Sequence, residues 1–345
     1  MDLELKKSAR KFFSGVGFRY SIFFVAVFGG QICLQVLAIM LFGVEALDDA
    51  LILSLLTALP VDVIGAPIIY LIFKKSEVTV LEKKDLKVGG FIRYMCMLAP
   101  LTFGGALISL GLNYVIELIT GTHIDNNLVA DNINNLGTVG RLIVACVCAP
   151  IFEELIFRKL LIDRTVKYGE FLSVLLSGIM FGLFHGNFEQ FFYACFLGMF
   201  FAHIYIKTGK IVYTMVLHFV VNFTSSGITM FFLSHVDMDF VEKVSGDPTF
   251  LQSLTETELT AYAPKLLWLF AYEVWAMVLV GVFIAGVILW ILAIKKKGAY
   301  TTRELELPKK GRLSVALLNP GMIVYIILCL GLCVYTIFAM MTMAS

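Results

Sequence analysis

The sequence predicts an all-α, polytopic transmembrane bundle of about nine spans with a cytoplasmic N-terminus. Three observations carry that prediction. The chain is 59% hydrophobic and only 15% charged, with a mean hydropathy of +0.88, against about 45–50% and about 25% in ordinary soluble domains. Its apolar residues fall into runs long enough to cross a bilayer, and the loops between them alternate between basic and acidic. A larger core would not account for this composition, because any core in water still needs a solvated surface; lipid replaces that surface. The net charge of +1 argues against a nucleic-acid partner. The expected setting is a membrane, with the bilayer itself as the main solvent.

A span needs about 20 apolar residues. In order, the runs are Phe18–Val44, Ala50–Phe73, Phe91–Thr120, Thr138–Ile162, Phe171–His185, Phe188–Ile206, Ile211–Leu233, Leu266–Ile294 and Val315–Met343. The fifth and sixth are short and separated only by Gly186 and Asn187, the pattern of a helical hairpin. The polar start Met1–Lys7 carries no short apolar run with a cleavage site, so no removable signal peptide is expected. Lys6, Lys7, Arg10 and Lys11 precede the first run, and Lys74, Lys75, Lys83, Lys84 and Lys87 fill the second loop. Lys159, Arg164, Lys167, Lys207, Lys210 and Lys295–Lys297 mark later loops on the same side. The alternate loops hold Asp48, Asp49, Asp125, Asp131, Asp237, Asp239, Glu242 and Asp247. Nine spans place every basic loop on one face, as the positive-inside rule requires, with the C-terminus outside. Gly121–Gly137 and His235–Pro264 read as loops by composition. The seven cysteines, at 33, 96, 146, 148, 195, 329 and 333, lie in apolar runs and read as packing residues.

Ionisable groups inside spans are expensive and therefore mark candidate sites. The fourth run contains Glu153, Glu154 and Arg158. Adjacent carboxylates point about 100° apart on a helix, so they serve different neighbours. Glu154 and Arg158, at i and i+4, can pair on one face and leave Glu153 free. His185 closes the fifth run; His218 and Asn222, again at i and i+4, share a face of the seventh. A carboxylate and an imidazole can orient a water and accept its proton. A second histidine and an amide can donate to an oxyanion. A metal version takes Glu153, His185 and His218 as ligands to zinc with an open fourth position; the residue types leave both mechanisms open. Asp62 and Glu273 are further carboxylates inside spans. His203 and Glu189 read as neighbours of the site, and His123 and His235 as solvated loop residues.

These clusters resemble the motifs of the CAAX-protease and bacteriocin-processing family. Glu153–Glu154–x–x–x–Arg158 matches its EExxxR motif, Phe181–x–x–x–His185 its FxxxH motif, and His218–x–x–x–Asn222 its HxxxN motif, in the same order. The resemblance divides the chain into N-terminal helices (1–137), a protease-like core (138–226), and an outer loop with C-terminal helices (227–345). It implies an intramembrane endopeptidase in which Glu153 and His185 activate water and His218 and Asn222 hold the oxyanion. Arg158 then holds Glu154 or the helix geometry. The implied partner is a peptide or protein substrate in the membrane, either prenylated or a leader peptide. A non-catalytic bacteriocin-immunity protein is the alternative, and an ion-coupled transporter a weaker one, since no repeated halves are apparent. No HExxH or GxGD occurs, and Thr224–Ser225–Ser226–Gly227 only faintly resembles a rhomboid serine loop. The depths of the motif residues do not match at once. Counting about 1.5 Å per residue from the cytoplasmic ends sets His185 deeper than Glu153 and His218, unless the fifth helix starts later or tilts.

Overall fold

The computed structural model describes residues 2–121, 137–247, 249–294 and 300–343. Helices make up its regular structure, and no strand occurs among the described residues. Nine long helical segments are numbered here in chain order. They are α1 (Asp2–Phe42), α2 (Leu51–Phe73), α3 (Val88–Thr120), α4 (137–168), α5 (Glu170–Phe184), α6 (Phe188–Thr208), α7 (Ile211–Leu233), α8 (Glu256–Ile294) and α9 (Pro320–Met343). Among the described residues seven of these, all but α4 and α5, are long and apolar enough to cross a membrane. The nine expected runs therefore resolve into seven spanning helices, one shorter apolar helix, and α4. That last segment carries Arg141, Glu153, Glu154, Arg158 and Lys159, more charge than a span facing lipid tolerates. The protein is an integral multi-pass membrane protein.

Two boundaries differ from the sequence reading. The basic start is not a loop: α1 begins at Asp2, sixteen residues before Phe18. Ala9, Phe13, Val16, Tyr20 and Phe23 recur at three- and four-residue spacing and are fully buried, so the first turns have a packing face of their own. The stretch from His235 to Pro264 is likewise not simply a loop. It contains helices Met238–Gly246 and Phe250–Ser253, and α8 already begins at Glu256. Phe240 is buried against the rings of Phe250 and Tyr262, and this small apolar knot gives a polar segment something to fold on. The other expected loop falls mostly outside the described residues. Of the cysteines, all of them free, four are buried; Cys33 is exposed on α1 and is not a packing residue.

The hairpin expected around Gly186 and Asn187 is present. Asn187 caps α6, its side chain accepting from the Gln190 amide at 2.8 Å. Gly178 and Gly182 let α5 lie against α6: a Cβ on Gly182 would stand 2.7 Å from the Phe191 carbonyl oxygen. This makes α6 the central helix; 61% of its most apolar stretch is buried, against 6% for α8. The chain ends meet through α1 and α9, where a Cβ on Gly321 would stand 1.8 Å from the Ser14 carbonyl oxygen. Small residues at such crossings are the usual means by which membrane helices approach closely.

Two extended straps tie together the helix ends on the side of the basic loops. Residues 74–87 cross from α2 to α3, where Thr79 N donates to Asp163 O (2.6 Å) and Lys84 N to Thr208 O (2.8 Å). Leu81 is buried between them against Ile162, Val166 and Ile206. Residues 300–311 cross from α8 toward α9. Leu305 N and Leu307 N donate to the carbonyls of Lys167 and Tyr168, and the buried Glu170 accepts from Lys207 (2.9 Å) and Arg303 (2.6 Å).

Candidate active site

The walls of the site are helices that are locally unwound. Wide, π-type turns occur at Val61–Gly65 in α2, Leu142–Cys148 and Leu155–Leu160 in α4, and Phe223–Thr229 in α7. Such turns leave backbone carbonyls unpaired and gather at functional sites. Pro150 adds to this in α4 by removing the N–H that would return to Cys146. Asn222, the last residue before the α7 turn, satisfies one such carbonyl: its Nδ2 donates to Ala145 O at 2.7 Å.

Glu154 and Arg158 lie side by side and are fully buried, with Arg158 Nη2 3.0 Å from Glu154 Oε1. Arg158 Nη1 donates to Ser177 Oγ (3.1 Å), and Ser177 Oγ donates to Phe157 O (2.7 Å). The guanidinium lies over the Phe181 ring at 4.6 Å. The same ring meets His185 and His218 edge-on, so the aromatic residue of the FxxxH pattern packs against the guanidinium and both histidines. His218, 6% exposed, stacks on Phe201 and is aimed by both glutamates. Its Nδ1 lies 3.2 Å from Glu154 Oε1 and its Nε2 3.6 Å from Glu153 Oε2. Glu154, as a carboxylate, only accepts, so Nδ1 carries the hydrogen and Nε2 is the nitrogen presented to Glu153 and the cavity. His185 is oriented from its own helix, with Nδ1 2.9 Å from Phe181 O.

Glu153, His185, His218 and Asn222 line one cavity of about 460 Å³. Glu154 and Arg158 stand behind it. The depth mismatch between Glu153 and His185 disappears because α4 runs six residues beyond Ile162, to Tyr168. Glu153 lies sixteen residues before the turn at Gly169 and His185 sixteen after it, so equal rises bring them level. The sequence reading missed Ser177, although a serine four residues before Phe181 on an apolar helix was a visible signal. It also left Gln190, Tyr193, Ser54 and Thr57 unassigned, and all four line the cavity. Asp62 joins them from α2. Glu273 does not line the cavity and is exposed on α8. His203 is no neighbour of this site; it lines a separate cavity of about 810 Å³ with Arg93, Trp290 and Tyr300. His235 is exposed and stacks on Trp268, and Glu189 offers its carbonyl to Ser109 (3.0 Å). His123 lies outside the described residues.

Among the described residues no group of three or more His, Cys, Asp or Glu side chains is arranged to hold a metal ion. Of the zinc ligand set Glu153, His185 and His218, His218 Nδ1 is committed to Glu154 and His185 Nδ1 to a carbonyl. In both rings Nε2 is the nitrogen left over by these bonds, and no step below passes through a metal.

Residues 135–224 match the family described as type II CAAX prenyl endopeptidase Rce1-like. The matched stretch holds all three motifs and every motif residue that lines the cavity. The chain is also 30% identical over 82 residues to the Bacillus subtilis protein named "Putative membrane peptidase YdiL", an alignment covering 24% of this chain and 34% of that one. The similarity thus spans about a third of that relative's length. No solved structure matches the chain.

Proposed function

We propose that this protein is an intramembrane endopeptidase that hydrolyses a peptide bond with a water activated by Glu153 and His185. The observation that carries the reading is the convergence of Glu153, His185, His218 and Asn222, from three helices, on one cavity. Similarity to the Rce1-like family and to a protein named as a membrane peptidase supports it. In this reading a water sits against Glu153 and His185, which accept its proton as the oxygen attacks the amide carbonyl. Asn222, through the amide hydrogen not given to Ala145, donates to the oxyanion that forms, and His218 donates through Nε2 in the form in which both ring nitrogens carry hydrogen. Fixed donors stabilise such a charge strongly where bulk water is excluded. The proton taken by the Glu153–His185 pair then passes to the leaving amine, which returns the pair to its starting state. Glu154 and Arg158 touch no reacting atom; they hold His218. The substrate is a peptide segment in or beside the bilayer, a prenylated terminus or a leader peptide.

The test is cleavage of a panel of quenched prenyl-peptide and leader-peptide substrates by purified protein in liposomes. Glu153→Gln is expected to lower kcat by about a hundred- to ten-thousand-fold, the usual worth of a general base, with insertion and thermal unfolding unchanged. Cleavage that survives in Glu153→Gln would put the chemistry elsewhere. Loss with EDTA and recovery with zinc would bring a metal back into the site. Binding without cleavage would favour the non-catalytic immunity reading.

A further inference from the structure

Of the two carboxylates that line the cavity, the mechanism uses Glu153 and leaves Asp62 idle. Asp62 lies midway along α2, in the wide turn Val61–Gly65 that follows Pro60. It is half-buried, and among the described residues it has no hydrogen-bond or ion-pair partner. A carboxylate inside a span is costly unless something satisfies it, and such residues face cavities that do. Among the described residues the basic side chains lining the cavity are His185 and His218, the latter already flanked by Glu153 and Glu154. The lining includes no Lys or Arg, and Arg158 is buried behind the wall and paired with Glu154.

We propose that Asp62 is a specificity residue that receives a cationic group of the substrate, a Lys or Arg side chain close to the scissile bond. The inference rests on the peptidase reading for the position of that bond. Asp62 and Glu153 share the wall of a cavity of about 460 Å³. A compact space of that volume is about 8 Å across, and two or three extended residues at about 3.3 Å each cover it. The cation therefore belongs one or two residues from the cleaved amide. A bound ammonium or guanidinium would pair with the Asp62 carboxylate in a setting drier than bulk water. An acidic residue at the same place meets the Asp62 and Glu153 carboxylates, so the wall also repels the wrong substrate. Specificity built from one attraction and one repulsion is the usual arrangement.

The experiment uses the full chain in liposomes and three matched peptides carrying Lys, norleucine or Glu beside the scissile bond. The wild type is expected to favour Lys over norleucine by about tenfold in kcat/KM, as for a partly desolvated charge pair. The ratio should fall to near one in Asp62→Asn and turn toward Glu in Asp62→Lys. A purely structural role for Asp62 would lower all three rates and leave the ratios alone. Fluorescence anisotropy of the labelled Lys peptide on Glu153→Gln protein, with and without Asp62→Asn, reads the same preference without turnover. Cleavage without charge preference, or a preference that survives Asp62→Asn, overturns the inference and spares the peptidase reading. Asp62-dependent binding with no cleavage of any peptide does the reverse. Neither cleavage nor Asp62-dependent binding removes both.

Discussion

Arg158 shows how much one side chain does here without touching a reacting atom. It is fully buried, pairs with Glu154, bonds Ser177 and lies over Phe181, so it fixes the wall against which His218 rests. Removing it leaves a buried carboxylate uncompensated, which costs about 3–5 kcal/mol in comparable pairs. Arg158→Ala should therefore lower the thermal unfolding midpoint and abolish activity together. Ser177→Ala should cost less, about 1–2 kcal/mol, since it removes a neutral partner while the ion pair remains. Thermal unfolding in detergent measures both. Equal losses would mean that the ion pair stabilises the wall no more than the Ser177 hydroxyl does. Glu153 differs: it is part-exposed to the cavity, and its replacement by Gln should be silent in the same melt.

At the scale of elements, the α5–α6 hairpin sets where His185 stands. Gly182 sits three residues before His185, and a side chain there meets the Phe191 carbonyl and Cys195. Gly182→Val should push the two helices apart, at a cost of about 1–3 kcal/mol for overpacking, and reduce kcat by moving His185 off Glu153. Gly281→Ala in α8 is the matched control, because a Cβ there meets nothing within 4 Å. It should be neutral or slightly stabilising, since Ala is the better helix former. Melting curves and peptide cleavage of the two variants decide this; a silent Gly182→Val would mean that the hairpin does not locate the histidine. The hairpin was legible in sequence, from two short apolar runs around Gly186 and Asn187. Its close approach was not, because which glycines face a partner depends on how the helices roll against each other.

For the molecule as a whole, the two straps hold the site-bearing helices in register. Asp85, on the 74–87 strap, is bonded by Lys210 and by Tyr213 (3.2 Å) at the start of α7. Lys210, through its hydrogen bond and charge, holds the Asp85 carboxyl below the ordinary carboxylate range. A lowered folded-state value means that this tether is fully present above about pH 4 and is lost as pH falls through the folded value. Protease cleavage within the strap should therefore be the same at pH 7 and pH 5 and rise only in stronger acid. Asp85→Asn should show the raised cleavage already at pH 7. Limited proteolysis read by mass spectrometry tests this, and pH-independent protection in Asp85→Asn would show that Leu81 burial alone holds the strap.

The sequence by itself determined the membrane class, the helical architecture and the three motif clusters. These are local or compositional facts: hydropathy is a sum over residues, and i, i+4 spacing is a property of any helix. It even separated the two glutamates, because Arg158 one turn later can reach only Glu154. Tertiary structure decided what depends on helices meeting. It levelled Glu153 with His185 by carrying α4 on to Tyr168, packed α5 against α6, and added Asp62 to the cavity while leaving Glu273 outside it. No periodicity within one helix reports which face of α2 turns toward α4. That orientation follows from side-chain packing between segments far apart in the chain, which a reading taken one segment at a time does not contain.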